Sequence, residues 1–146
     1  MGNTVLLAKR AVLGLAITQF LLQTVGLVFS IIGVLNIVGL IFHVLGIIAA
    51  CLCIAGSINL KSVMLFSGAT LNFFMSAVDI ILFFLFLFFF RYALILVIIN
   101  LVIYGISTAI FISCGVYALK LRQLVVQEKY KNIGQQMGQQ LGQQMG

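Results

Sequence analysis

An aspartate in a run of hydrocarbon is the residue of this chain with the most chemical consequence. Asp79 is the one acidic or basic residue between Lys61 and Arg91, in a sequence that is otherwise apolar or weakly polar. An acid near the middle of a membrane span is penalised by about 2.5–3.5 kcal/mol even on the lenient insertion scale. It is therefore either protonated or provided with partners. His43, Asn72, Ser76, Asn100, Tyr104 and Ser107 are the polar side chains that fall in comparable apolar surroundings, with Gln19 and Gln23 earlier in the chain. Two chemistries fit this set. A relay through Asp79 and His43, lined by Asn72, Ser76 and Asn100, would make an ion- or proton-conducting subunit, because intramembrane ionisable pairs mark ion pathways. A neutral aspartic acid hydrogen-bonded to Asn100, Ser76 or Tyr104 would instead be packing glue, and this reading is preferred because one stripe of amides and hydroxyls per helix is the usual means of association in lipid.

Other chemistry is poorly served. With one histidine in the chain, no set of three or four ligands at metal-binding spacing is available, so no metal is expected. No nucleophile stands beside a base, and there is no carboxylate pair, phosphate-cradling glycine loop or glycosylation sequon. Neither a catalytic residue nor a cofactor site is expected, and the chain is read as non-enzymatic. Cys51, Cys53 and Cys114 fall near one face of the membrane, where they are packing residues or, alternatively, acceptors of palmitate. A reducing compartment on that side disfavours disulfides. The amino-terminal Met1-Gly2-Asn3-Thr4-Val5-Leu6 begins like a myristoylation signal but has Leu6 where serine or threonine is required.

The elements that must position these residues follow from composition. The chain is 64% hydrophobic and 7% charged, whereas soluble domains carry about 25% charged residues. It cannot cover its own surface with polar groups, so the surrounding solvent is lipid. The net charge of +6 does not indicate nucleic acid, because the basic residues flank apolar segments instead of clustering among aromatics on a soluble fold.

Charges divide the rest into four spans, at residues 11–32, 38–58, 63–89 and 93–119, each near the length of about 20 residues that one helix needs to cross. Residues 11–60 carry no charge and as one helix would be roughly 75 Å long, so they fold back on themselves. Gly33, Asn36 and Gly39 supply the turn, which belongs at the interface because lipid cannot satisfy bare peptide groups; a re-entrant hairpin is the alternative. The long apolar first segment, without a small-x-small cleavage site, is a retained span and not a signal peptide. Arg91 and Tyr92 form the interfacial break between the last two spans. The expected fold is all-α, a four-transmembrane-helix bundle with short loops and a mobile C-terminal tail.

Each span carries one inward stripe. Gln19, Gln23, Gly26, Ser30 and Gly33 recur at helical spacing in the first; Gly39, Gly46 and Cys53, with His43, Ala49 and Ala50, mark the second. Gly68, Asn72, Ser76 and Asp79 mark the third, and Asn100, Tyr104, Ser107, Phe111 and Cys114 the fourth. Four stripes imply one shared interior. The phenylalanine-rich run at 83–90 is apolar all round and faces lipid or a protein partner.

Of the eight lysines and arginines, all but Arg91 fall at the chain ends or at Lys61, which places both termini in the cytoplasm. The N-terminal segment 1–10 and the basic segment 120–133 flank the bundle. Lys9, Arg10, Lys120, Arg122, Lys129 and Lys131 are candidates for contact with anionic lipid. The last residues, 134–146, repeat glycine every fourth position, which costs a helix about 1 kcal/mol per glycine relative to alanine and favours a mobile tail over a bound helix.

Four spans over residues 8–122, cytoplasmic ends, short loops and polar positions inside the bundle resemble the architecture of MARVEL-type tetraspan proteins of vesicles and lipid-ordered membrane. That resemblance implies a non-enzymatic organiser of membrane patches or vesicle traffic. The chain departs from it in having no cysteine in its outer connections, and those connections are too short to reach another cell. The expected partners are membrane lipids and copies of itself or other membrane proteins; an accessory subunit of an energy-transducing complex is a further alternative.

Overall fold

The computed structural model describes residues 3–32, 37–89 and 94–144, without the side chains of residues 29, 32, 37–38, 86, 89, 94–97, 99–101 and 141–144. All but the turn at Leu60–Lys61 is helical: α1 Asn3–Ile32, α2 Ile37–Asn59, α3 Ser62–Phe89 and α4 Leu94–Gln144. No strand occurs among the described residues. Of the turn expected at residues 33–39, positions 33–36 lie outside them while Gly39 belongs to α2; the Arg91–Tyr92 break and the side chain of Asn100 also lie outside them.

The helices form a ring in which each packs on its chain neighbours and α1 closes against α4. Neighbours run antiparallel: Lys9 lies level with Ile58, Gln19 with Gly46 and Gln23 with His43. The same is true of α3 and α4, where Ser62 lies level with Arg122 and Asp79 with Thr108. One end of the bundle therefore carries both chain ends and the α2–α3 turn (the terminal end), and the opposite end carries the other two connections (the loop end).

Each of the four helices is long and apolar enough to cross a membrane, and exposed large apolar residues such as Leu21, Ile41, Phe74, Phe84 and Ile103 cover the outside of all of them. Soluble monomers rarely expose contiguous apolar patches beyond a few hundred Å². The chain is a multi-pass integral membrane protein. Its lipid-facing threonines, Thr18 and Thr70, donate to Gly14 O and Phe66 O one turn back, so neither of these hydroxyls is left bare in hydrocarbon.

Two helices run further than charge placement indicates. α1 starts eight residues before the expected span, with Val5 and Ala8 buried. Lys9 does not end it, because its long stem lets Nζ reach Ile58 O at 3.3 Å. α4 continues past residue 119 to Gln144, with no proline to stop it. Described residues 129–140 are exposed, so the Gly/Gln/Met tail stands clear of the bundle, with helix propensity alone to hold its form.

The α2–α3 turn is built tightly. Leu60 adopts φ 51°, and Lys61 N donates to Gly56 O at 3.0 Å, the 6→1 bond of a Schellman cap. Leucine in this conformation is strained by roughly 1–2 kcal/mol, and its side chain packs against the apolar core in return. Arg122 fastens the same end: Nε donates to Ser62 Oγ at 3.2 Å and the guanidinium lies 4.8 Å from the centre of the Phe66 ring.

Candidate functional site: a polar interior and a loop-end cavity

The bundle interior has three levels. At the terminal end it is apolar and closed: Val12, Ala16, Leu65, Ala69, Ala118 and Leu121 are all fully buried. Small residues make this closeness possible. A methyl group added at Gly68 would sit 2.7 Å from Cys53 Sγ, and one at Gly56 would sit 2.9 Å from Leu65 N.

Above that plug lies a polar node that ties α1, α2 and α3 together and crosses the ring from α1 to α3. Gln19 Nε2 donates to Asn72 Oδ1 at 2.8 Å, joining α1 to α3, and to Gly46 O on α2 at 3.0 Å. Asn72 Nδ2 donates to Cys53 Sγ at 3.5 Å. Cys53 of α2 and Cys114 of α4 are buried in one apolar cluster beside it. Gln19, Asn72, Cys53 and Cys114 are buried, and Gln19 Oε1 has no hydrogen-bond partner among the described residues.

The third level, at the loop end, is open. A cavity of about 290 Å³ is bounded by Gln23, Ser30, His43, Asp79, Tyr104 and Ser107, with Phe42 among its apolar wall. His43 Nδ1 lies 2.7 Å from Gln23 Oε1; a carbonyl oxygen only accepts, so the ring hydrogen is on Nδ1. Gly26 makes room for this, since a Cβ there would collide with the imidazole. Asp79 is 1% exposed and its Oδ2 accepts from Thr108 Oγ1 at 3.5 Å, with Ser107 alongside. The lysines and arginines among the described residues all stand at the terminal end or beyond it, and Asp79 is seventeen residues along α3 from Ser62, roughly 25 Å.

Gln19, Gln23, Asn72, Ser76 and Asp79 are thus buried, while His43, Tyr104 and Ser107 border the cavity. Of the partners expected for Asp79, Ser76 instead donates to Phe73 O in its own helix at 2.8 Å, and Tyr104 shares the cavity wall without a described bond to it. The actual partner, Thr108, was not singled out because it stands one position off the α4 stripe, and the rotation of α4 against α3 cannot be read from either helix alone. Phe42, which meets His43 and Phe111 edge-on at 5.9 and 6.1 Å, has no polar signal to betray it.

The cysteines separate into two kinds. Cys53 and Cys114 face the node and could not meet an acyl donor without the bundle opening, whereas Cys51 is exposed. Among the described residues no three ligating side chains gather into a metal site. Lys9 and Arg122 are engaged with Ile58 O and Ser62, while Lys120, Lys129 and Lys131 are exposed on α4. Compared with known protein families, curated proteins and solved structures, the chain shows no match.

Proposed function

We propose that this protein is a non-enzymatic structural tetraspan, which associates with copies of itself or with a larger membrane assembly through its apolar outer faces. One observation carries this reading. At mid-bundle the Gln19 and Asn72 amides are bonded to each other, to Gly46 O and to the Cys53 thiol, linking three helices, and beneath them the terminal half is closed by fully buried apolar side chains. Polar groups arranged in this way hold helices together, and they give an ion no continuous route. The exposed aromatic residues of α3, including Phe74, Phe84 and Phe88, supply contact area. The organising role implied by the resemblance to MARVEL-type tetraspans belongs to the same reading. So does a cytoplasmic placement of both termini, where Lys9, Arg10, Lys120, Arg122, Lys129 and Lys131 meet anionic lipid at about 1 kcal/mol per basic residue near the surface.

The loop-end cavity supports a second reading, an ion- or proton-conducting subunit, since it sets Asp79 and His43 in one polar space. Reconstitution in liposomes separates the two. Stable oligomers in mild detergent with no proton or cation flux are expected; flux that disappears in Asp79→Asn would overturn the structural reading in favour of conduction.

A further inference from the structure

The polar cavity shares a wall with a groove on the lipid side of the bundle. Gln23, His43, Ile103 and Ser107 border not only the cavity but also a groove of about 360 Å³ on the outer seam between α1 and α4. The rest of that groove is apolar, and Leu22, Val25, Ile103 and Ile106 are each roughly half exposed to the hydrocarbon. Nearer the terminal end the same seam carries a second groove, between Thr4, Ala8 and Ala11 of α1 and Tyr117, Lys120 and Leu124 of α4, but the interior behind it is filled by the fully buried Val12, Ala16, Ala118 and Leu121, and none of the polar cavity residues borders it. A molecule dissolved in the bilayer that lays an apolar chain along the Leu22–Ile106 groove has its head against the Gln23, His43 and Ser107 wall of the cavity.

The head group is defined by the cavity wall. Asp79 contributes a carboxyl that no described lysine or arginine approaches. The Phe42 and Tyr104 rings add the kind of π surface that attracts ammonium groups. Gln23 and Ser107 can hydrogen-bond a hydroxyl beside the charge. The size of the cavity is near the lower end of the roughly 300–1,000 Å³ typical of small-molecule sites, and the groove follows a single helix seam, which suits one chain and not two.

We infer that the cavity and the α1–α4 groove together bind a single-chain amphiphile with a protonated amine head, the amine against Asp79 and the alkyl chain between Leu22, Val25, Ile103 and Ile106. This binding is independent of whether the protein self-associates.

The test uses the full-length protein in neutral phosphatidylcholine vesicles and a long-chain alkylamine with a photoreactive diazirine in its chain. Saturable labelling confined to the Leu22–Val25 and Ile103–Ile106 segments is expected. Unlabelled alkylamine should compete about tenfold or more better than the alcohol or fatty acid of equal chain length, as a charge-assisted contact would require. Asp79→Asn should remove that preference. Should this variant lose its helical, monodisperse state, Val25→Trp with Ile106→Trp fills the groove from the lipid side and should abolish the saturable labelling. Equal competition by amine, alcohol and acid, or labelling spread over every exposed face of α2 and α3, would overturn the inference.

Discussion

Adding a single methyl group at different glycines should move stability in opposite directions, and the sign at each site follows from what that methyl meets. Alanine is favoured over glycine in a helix by about 0.8–1.0 kcal/mol. At Gly14 and Gly105 a Cβ would have no neighbour within 4 Å, so Gly14→Ala and Gly105→Ala should stabilise the protein by up to about 1 kcal/mol. At Gly56 the methyl would stand 2.9 Å from Leu65 N and 3.1 Å from Leu65 Cγ and Met64 Cβ. A backbone nitrogen cannot rotate away, so α2 and α3 must separate, and overpacking of this kind costs about 1–3 kcal/mol. At Gly68 the methyl would meet Cys53 Sγ at 2.7 Å and Cys53 N at 3.1 Å, and that thiol is buried and held by Asn72.

After the propensity gain is subtracted, Gly56→Ala and Gly68→Ala should each destabilise by up to about 2 kcal/mol, leaving a gap of roughly 1–3 kcal/mol between the two classes. Reversible unfolding in mixed micelles of increasing dodecyl sulfate fraction, followed by far-ultraviolet circular dichroism, measures this gap. The two tight sites also differ from each other. Cys53→Ala should partly rescue Gly68→Ala by removing the sulfur, whereas Leu65→Ala should not rescue Gly56→Ala, where the obstacle is main chain. If all four alanine variants shifted stability equally, the close approach of α2 and α3 would be wrong.

Three further outcomes are expected. A double-mutant cycle between Gln19→Leu and Asn72→Leu should return a coupling of about 0.6–1.7 kcal/mol, the range seen for interhelical hydrogen bonds in lipid; zero coupling would remove the 2.8 Å bond between them. A membrane-permeant maleimide should modify Cys51 in the folded protein and reach Cys53 and Cys114 only after denaturation, as their burial requires; rapid labelling of all three, read by peptide mass spectrometry, would contradict the closed node. With a fluorophore on the tail and brominated anionic lipid as quencher, Lys129→Gln and Lys131→Gln should each weaken tail attachment by about 1 kcal/mol, and by less at high salt; an unchanged signal would show that the tail does not lie on the membrane.

The inward faces were legible in the sequence because hydrocarbon inverts the usual contrast. Against a background of leucine, isoleucine and phenylalanine, Gln19 and Gln23 four apart, or Asn72, Ser76 and Asp79 at steps of four and three, stand out as the sides that lipid will not accept, and all five are buried. Helix ends were less legible. Lys9 and Arg10 mark where apolar composition stops, but a flexible stem lets a charged head reach the interface from within a helix, so α1 begins at Asn3. The pairing of residues between helices was not legible at all. Stripe spacing fixes which residues face the interior but not the rotation and rise of one helix against the next. These decide that Asp79 meets Thr108, and that Gln19 and Asn72 meet across a diagonal.

The uneven distribution of side-chain size along the bundle accounts for both the plug and the cavity. Ala8, Ala16, Ala69, Ala118, Gly56 and Gly68 are concentrated toward the terminal end, and small residues let helix axes approach closely in lipid. Toward the loop end the interior positions carry Phe42, His43 and Tyr104, whose rings occupy more width than they fill. Small residues let the helices close up at one end, and the rings and polar side chains at the other border the cavity that all four helices line. The outer groove that shares its wall lies on the α1–α4 seam. The cavity is therefore a consequence of where alanine, glycine and the rings fall along four helices, and shrinking any one ring should enlarge it while leaving the closed terminal end unchanged.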